Sequence, residues 1–172
     1  MKKYLVIGNP IDHSLSPKLH NYWISKKKIN AIYDRKKLHK NELEEIISDV
    51  KEEKISGINV TVPFKKAVIP FLDELTQEAN ETQSVNTIYL QDGKLIGHNT
   101  DIAGFELAIK HAKFDIKNKN VFILGAGGVT SSIIYALKRM NVSKISLSNR
   151  TRYKAVEIKD MFRNIEIVDW GK

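Results

Sequence analysis

The strongest constraint on the fold of this chain is an apolar run that leads through glycines into an amphipathic helix. Residues 121–124 are all apolar, which is typical of a parallel strand buried on both faces. Glycines in residues 125–128 allow a tight turn, and residues 129–140 carry apolar side chains at helical spacing. A strand, a glycine turn and a helix in this order predict an α/β fold. The backbone N–H groups at the start of such a helix are suited to a phosphate.

Composition restricts the classes of protein to consider. No apolar run approaches the ~20 residues that span a bilayer, so we expect no membrane partner. The chain has no cysteine, which excludes disulfides and Cys-ligated zinc, and no two histidines have the i, i+4 spacing of a helical zinc site. We therefore expect no metal, and a cytoplasmic location fits this composition.

The net charge of +8 is unevenly distributed along the chain. Residues up to Ile102 carry +1, and those from Ala103 onward carry +7. A basic segment suits a polyanion, either a nucleotide cofactor or nucleic acid. The sequence has no zinc finger, no basic zipper and no RNA-binding sheet with paired aromatics, so we expect a cofactor and no nucleic acid.

Strand and helix patterns alternate along both parts of the chain. Strands are predicted at residues 4–8, 31–38, 57–62, 121–124, 144–148 and 165–168, a hairpin at 86–98, and helices at 16–28, from 41, and at 64–76, 102–113, 129–140 and 152–162. We place a domain boundary between Asp101 and Ile102. The predicted fold class is α/β: an N-terminal α/β domain with a mostly parallel sheet (1–101), then a partial Rossmann-like domain (102–172).

Polar groups cluster where the strand at 57–62 ends. Asn59 and Thr61 alternate with valines, Pro63 ends the strand because it has no N–H to donate, and Lys65 follows at a predicted helix start. Ligands of open α/β sheets bind outside the carboxyl ends of the strands. The pattern therefore predicts the wall of a small polar-substrate site, with an ordinary strand end and a surface lysine as the alternative.

The strand after the glycine turn indicates which dinucleotide would bind. An NAD site has a carboxylate about 20 residues after the turn, whereas here Arg150 follows the strand, and arginine is suited to a phosphate. The sequence therefore favours NADP, although Thr130 occupies the sixth place of the glycine motif. The predicted cofactor contacts are Gly125, Ala126, Gly127, Gly128, Val129, Asn149, Arg150, Thr151 and Lys154.

Six segments in this order resemble the shikimate dehydrogenase family over nearly the whole chain. They are residues 8–17 (GNPIDHSLSP), 59–65 (NVTVPFK), 85–87 (VNT), 97–101 (GHNTD), 125–128 (GAGG) and 149–151 (NRT). The resemblance implies reversible NADPH-dependent reduction of 3-dehydroshikimate to shikimate, on the route to chorismate and the aromatic amino acids. It also implies that residues 1–101 bind substrate and that residues 102–172 bind NADP.

The resemblance implies a role for each matching polar residue. Ser14 and Ser16 would bind the substrate carboxylate. The ring hydroxyls would meet Thr61, Asn86 and Asp101, with Asn59 lining the same site. Lys65 and Asp101 would form the catalytic pair, because reducing a ketone needs a proton at the developing alkoxide. Ser16 and Asp101 have a second interpretation as helix N-caps.

Two alternatives stay open at this point. One is a quinate/shikimate dehydrogenase that uses NAD, against which Arg150 argues. The other is a catalytically inactive, ligand-binding fragment, because only one of the two βαβαβ halves of a dinucleotide fold is encoded. We expect a truncated chain with little turnover alone, and self-association or a homodimer through the exposed edge of its half-sheet.

Overall fold

The computed structural model of the chain describes residues 1–171. They form two compact units, Met1–Asn99 and residues 100–171. Helices and strands are mixed in both units, and five of the seven strand pairings within the described residues are parallel. The predicted α/β class with mostly parallel sheets is confirmed.

The first unit is built on a six-stranded sheet. Its strands are β1 (Lys2–Gly8), β2 (Ala31–Lys37), β3 (Gly57–Val60), β4 (Glu74–Leu75), β5 (Thr87–Gln91) and β6 (Lys94–His98). Its helices are α1 (Ser16–Lys26), α2 (Leu43–Lys51) and α3 (Gln77–Thr82), with one-turn 3₁₀ helices at Lys40–Glu42 and Ile69–Phe71. The strand order is β2-β1-β3-β5-β6-β4, with β5 antiparallel to both of its neighbours.

Helix α2 closes the main core of the first unit. It buries Leu43, Ile46, Ile47 and Val50, whose i, i+3, i+4, i+7 spacing forms one apolar stripe. The stripe belongs to the same core cluster as Ile7 and the other buried strand residues. Burying each such side chain contributes roughly 1.5–3 kcal/mol, so this layer holds the sheet in place.

Helix α1 is attached to the sheet by polar and aromatic contacts, and none of its residues is fully buried. The Asn21 side chain donates to the Tyr33 carbonyl (2.7 Å) and accepts from the Tyr33 N–H (3.0 Å). The His20 ring stacks on the Tyr33 ring with centroids 4.1 Å apart. Both contacts fix Tyr33, which lies on β2 and is 5% exposed.

The predicted helix at residues 64–76 is wrong. The segment consists of turns, the 3₁₀ helix that contains Pro70, and the short strand β4. Proline has no N–H for a helical bond. The backbone finds partners in β6 instead, because Asp73 N–H donates to the Leu95 carbonyl (3.0 Å) and Thr76 N–H to the Gly97 carbonyl (2.9 Å).

The predicted hairpin is confirmed. Strands β5 and β6 are antiparallel and are joined by Asp92 and Gly93, with φ of +50° and +74°. Two consecutive positive φ values are the requirement of a tight type I′ turn, and glycine adopts them without a steric penalty.

The second unit contains a three-stranded parallel sheet. Its strands are β7 (Asn120–Leu124), β8 (Lys144–Ser148) and β9 (Ile165–Ile167), in that order across the sheet. Its helices are α4 (Asp101–His111), α5 (Thr130–Arg139) and α6 (Arg152–Met161). Its core contains Ile134 and Leu137 of α5, Leu147 of β8 and Ala155 of α6.

The expectation that β7 is buried on both faces is wrong. Val121 and Ile123 pack against the core, whereas Phe122 is 52% and Leu124 is 70% exposed. Within residues 1–171, β7 lies at the edge of its sheet, with β8 as its hydrogen-bonded neighbour. An apolar run therefore identified the strand, but burial of its second face requires a covering layer that these residues do not provide.

The α-helices of both units are short, with six to eleven residues each. None of those in residues 1–171 combines the length and the apolar character that crossing a bilayer requires.

A Gly97→Ala substitution tests the packing of β6. A Cβ atom there would lie 2.6 Å from Leu72 Cδ1 and 2.7 Å from Leu75 Cδ2, so the core must shift. We expect the free energy of unfolding of the first unit to fall by about 1–3 kcal/mol. The measurement is urea unfolding followed by Trp23 fluorescence in a Trp170→Phe background.

The matched control for that measurement is Gly93→Asn in the same hairpin. Gly93 has open space around it, and asparagine tolerates its positive φ. We expect the control to stay within about 0.5 kcal/mol of the parent. An equal loss in both variants would contradict the packing account.

Candidate functional site

Three connecting segments meet at one edge of the first sheet. Strands β1 and β3 are parallel neighbours with Ile7 opposite Val60, so the segments that follow them leave at the same edge. Strand β5 is antiparallel to β3, which brings the residues just before Thr87 to that edge as well. The predicted site residues lie in these three segments. Ser14 and Ser16 come after β1, Thr61 and Lys65 come after β3, and Asn86 comes just before β5.

Backbone hydrogen bonds join the second and third of these segments. The Asn86 carbonyl accepts from the Val60 N–H (2.8 Å), and the Lys65 carbonyl accepts from the Val85 N–H (2.9 Å). These bonds place the backbone of Lys65 next to that of Asn86. The structure therefore brings these two predicted site residues together.

Gly8 permits the close approach of the first and second segments. A Cβ atom at Gly8 would lie 2.6 Å from Thr61 Cγ2 and 3.1 Å from the Val62 carbonyl oxygen. The Asn9 N–H donates to that same carbonyl (3.1 Å). Glycine at the end of β1 therefore lets the Ser14 segment run beside Thr61.

A chain of side-chain hydrogen bonds connects β2, β3 and β5 beneath this edge. The Tyr33 hydroxyl donates to Asn59 Oδ1 (2.7 Å). Asn59 Nδ2 donates to the Asn86 carbonyl (3.3 Å) and to Thr87 Oγ1 (3.1 Å). The Thr87 hydroxyl donates to Asn86 Oδ1 (3.0 Å). Two predicted site residues, Asn59 and Asn86, thus belong to one polar network.

Two members of that network, Tyr33 and Thr87, are absent from the sequence prediction. Thr87 lies inside the matching segment 85–87, and that motif is the signal that could have identified it. Tyr33 carries no such signal, because its contact with Asn59 spans 26 residues and depends on strand pairing. Burial raises the pKa of the Tyr33 hydroxyl, which keeps it a hydrogen-bond donor.

The two serines lie at the start of α1. Ser16 is the first helical residue, and its N–H donates to Ser14 Oγ (3.3 Å). The N-cap position belongs to Leu15, so the interpretation of Ser16 as the N-cap is not supported. Both serines are half-buried, next to the helix end at which an anion is favoured.

Asp101 is the first residue of α4 and belongs to the second unit. Thr100 occupies the N-cap position, so the N-cap interpretation of Asp101 is not supported either. A carboxylate in the first turn interacts favourably with the positive helix end. The pairing of Asp101 with Lys65 stays a prediction.

The glycine turn of the second unit has the shape that the sequence predicts. Gly125 has φ of +107°, and nothing lies within 4 Å of where a Cβ would be at Gly125 or Gly127. The Gly125 N–H donates to the Ser148 carbonyl (2.8 Å), which holds the turn beside the end of β8. The hydroxyl of Thr130, at the sixth motif position, donates to the Gly125 carbonyl (3.1 Å) and so braces the turn.

Asn149 joins the turn to the loop after β8. Its Oδ1 accepts from the Ala126 N–H (3.0 Å), and its Nδ2 donates to the Thr151 carbonyl (2.7 Å). The Ala126 N–H is therefore already engaged by the protein. The donors that we expect to meet an anion at this end of α5 are the N–H groups of residues 127–129, which directly precede the helix.

Cationic residues lie in the loop and helix that follow β8, whose end adjoins the turn. Arg150 and Lys154 are exposed, and Arg152 forms an ion pair with Asp169. Open space above the glycines, a helix start and a nearby guanidinium fit the phosphates of a dinucleotide. Within the described residues, no group of three His, Asp or Glu side chains is placed to hold a metal ion.

Two family models match the chain. The model described as the shikimate dehydrogenase substrate binding domain matches residues 6–88. The model described as shikimate / quinate 5-dehydrogenase matches residues 106–170.

Known proteins and solved structures give the same result. The NADP(+) shikimate dehydrogenase of Pelagibacter ubique is 60% identical over 171 residues, which cover 99% of this chain and 64% of that protein. The Aquifex aeolicus shikimate dehydrogenase crystal structure has a TM-score of 0.91 at 40% identity, covering 98% of this chain and 62% of that one. The Thermus thermophilus enzyme, in complex with NADP(H) and shikimate, has a TM-score of 0.88 at 30% identity, covering 98% and 63%. The chain thus spans less than two thirds of each of these three proteins.

The stack of His20 on Tyr33 predicts a pH dependence of stability. Burial lowers the pKa of His20, so the folded unit favours the neutral ring. The contribution is present above the unfolded value of about pH 6.5, where the histidine is neutral in both states, and is lost progressively as the pH falls from there through the lower pKa of the folded state. In His20→Phe, we expect the free energy of unfolding to fall less steeply as the pH decreases below ~6.5. The slope should be smaller than that of the parent by the equivalent of up to one bound proton.

Urea unfolding at several pH values between ~7.5 and ~5 measures this slope. The exposed His13 provides the control, and His13→Gln should keep the slope of the parent. A parental slope that persists in His20→Phe would show that other groups cause the pH dependence.

Proposed function

The chain belongs to the shikimate dehydrogenase family, as its sequence motifs predict, and we propose that it serves the reversible NADPH-dependent reduction of 3-dehydroshikimate to shikimate. The observation that carries this proposal is the meeting of Lys65, Thr61 and Asn86 at the sheet edge to which the serine segment also runs. An ammonium, hydroxyls and an amide are the groups that a small polyhydroxylated acid requires.

The first unit is the proposed substrate-binding domain. Ser14 and Ser16 would donate their hydroxyl protons to the substrate carboxylate, aided by the positive end of α1. Thr61 and Asn86 would bind ring hydroxyls, with Asn59 behind them. Asp101, at the start of the second unit, is proposed to bind a ring hydroxyl as well.

Lys65 and Asp101 are the proposed catalytic residues. Reduction of the ketone leaves an alkoxide, and the Lys65 ammonium can donate a proton to that oxygen and stabilise its charge before transfer. A carboxylate favours the charged form of such a lysine and restricts its position. In the reverse direction the same pair takes the hydroxyl proton away. Bound NADPH supplies the hydride.

The second unit is the proposed NADP-binding domain. Gly125, Gly127, Gly128 and Val129 would hold the pyrophosphate at the start of α5. The Arg150 loop, with Asn149, Thr151 and Lys154, would hold the 2′-phosphate side. Ala126 is proposed to contact the cofactor because its backbone lies in the same turn. Its N–H is not the proposed donor, since it donates to Asn149 Oδ1.

Arg150 argues against the alternative of an NAD-dependent quinate/shikimate dehydrogenase. A 2′-phosphate needs a cation, whereas a bare ribose 2′-hydroxyl is usually bound by a carboxylate, and Arg150 stands where the carboxylate would be.

A cytoplasmic location of the protein and its self-association or homodimerisation stay predictions.

A Lys65→Met substitution tests the catalytic proposal. We expect 3-dehydroshikimate reduction to fall by a factor of about 10² to 10⁴, because the proton donor is lost. NADPH oxidation measures the rate, and calorimetry of shikimate binding reports the site if turnover of the chain is slow.

The neighbouring Lys66 is exposed and provides the matched control. Lys66→Met should keep both the rate and the shikimate affinity of the parent. The proposal is wrong if the parent chain binds neither shikimate nor NADP, or if the two variants lose activity equally.

An Arg150→Ala substitution tests the cofactor proposal. Losing a charge-assisted contact to a phosphate should weaken NADP binding about tenfold or more and leave NAD binding within about twofold of the parent. Calorimetric titration with each dinucleotide measures both affinities, and Arg163→Ala, an exposed arginine outside the turn, is the control. Equal weakening of NADP and NAD would contradict recognition of the 2′-phosphate.

A further inference from the structure

We propose that Tyr33 is a positioning residue that acts through Asn59 and Thr87 to fix which end of the Asn86 side-chain amide is presented to the ligand. The N–H₂ end of Asn86 would then meet an oxygen acceptor of the substrate. This inference rests on the proposed function, in which Asn86 binds a ring oxygen, and it adds the residues that set the direction of that contact.

The assignment of donors and acceptors in this network starts from the Asn86 backbone carbonyl oxygen, which can only accept. The Asn86 backbone carbonyl accepts and never donates, so the Asn59 atom that lies 3.3 Å from it is the amide nitrogen. The oxygen of the Asn59 amide therefore points to Tyr33, at 2.7 Å. An amide oxygen only accepts, so the Tyr33 hydroxyl must donate.

The same logic continues from Asn59 to Asn86. Asn59 Nδ2 also donates to Thr87 Oγ1 (3.1 Å). The Thr87 hydroxyl has one proton of its own, and that proton goes to Asn86 Oδ1 (3.0 Å). The oxygen end of the Asn86 amide is thereby engaged by protein, and its other end is a donor.

Tyr33 is itself held in place from the opposite side. Asn21 bonds both backbone groups of Tyr33, and His20 stacks on its ring. At 5% exposure, the tyrosine has little access to water as a substitute partner. Without this donor, the Asn59 oxygen loses its partner, and the order of donors and acceptors that ends at Asn86 is no longer enforced.

A double-mutant cycle separates positioning from general stabilisation. Calorimetry measures shikimate affinity for the parent, Tyr33→Phe, Asn86→Ala and the double variant. We expect Tyr33→Phe to weaken binding about three- to tenfold in the parent and less than about twofold in the Asn86→Ala background. Equal weakening in both backgrounds would overturn the proposal, because Tyr33 would then act independently of Asn86.

Tyr22→Phe is the matched control for the loss of a tyrosine hydroxyl. Tyr22 lies on α1 and is 57% exposed, so this variant should bind shikimate like the parent. Weakening equal to that of Tyr33→Phe would contradict a role that depends on the Asn59 contact.

Thr87 offers a test by rescue. Thr87→Val removes the bridging hydroxyl at constant shape and should weaken binding as Tyr33→Phe does, whereas Thr87→Ser keeps the hydroxyl and should restore affinity to within about twofold of the parent. If valine binds as well as serine, the bridge has no role in positioning.

A ligand-free measurement keeps this inference separate from the proposed function. In ¹⁵N-HSQC spectra, Tyr33→Phe should shift the side-chain N–H₂ signals of Asn86, because the effect passes through Asn59 and Thr87. Unmoved Asn86 signals would overturn the positioning role. Failure of the parent chain to bind shikimate would instead overturn the proposed function, and the spectra would still decide whether the network exists.

Discussion

Everything that the first unit presents at its candidate site depends on the register in which β3 pairs with its two neighbours. Ile7 of β1 lies opposite Val60, and Thr87 of β5 lies opposite Asn59. A slip of one residue in either pairing would put Asn59 out of phase with the side chains of that neighbouring strand, so that they would face opposite sides of the sheet. The register is specified by burial, because Ile7, Ile58 and Ile88 are almost fully enclosed.

The same register converts separate polar residues into one hydrogen-bonded unit. Tyr33, Asn59 and Thr87 come from three different strands, and each has a role that its neighbour determines. Satisfied networks of this kind are rigid, because a buried polar group without a partner costs about 1–3 kcal/mol. The second unit uses a related device, since Asn149 and Thr130 fix the backbone around Gly125.

The sequence predicts best the features that arise from local chemistry. The Asp92–Gly93 hairpin and the Gly125 turn need residues that tolerate positive φ, and both turns form at the glycines that the sequence places there. The helix predicted at residues 64–76 fails because β6 offers the backbone better partners than a proline-containing helix does. The burial of β7 fails because an apolar run does not reveal whether a second layer covers it.

The residues of the candidate site also fall into those that the sequence predicts and those that it does not. The Asn59–Lys65 motif and the glycine turn are recognisable as residue patterns. The part played by Tyr33 is not, because nothing near residue 33 indicates that β2 and β3 flank the same strand. Pairings between distant strands are a property of the assembled sheet, and a single sequence carries little trace of them.

The central claim is that the edge formed by the ends of β1 and β3 and the start of β5 is a binding site for shikimate. Its most direct test is a shikimate titration of the ¹⁵N-labelled chain, followed by NMR. The account predicts saturable shifts centred on the backbone amides of Ser14, Ser16, Thr61 and Lys65 and the side-chain amides of Asn59 and Asn86. Shifts that leave out these residues and lie elsewhere on the first unit, or no shifts at saturating shikimate, would contradict it.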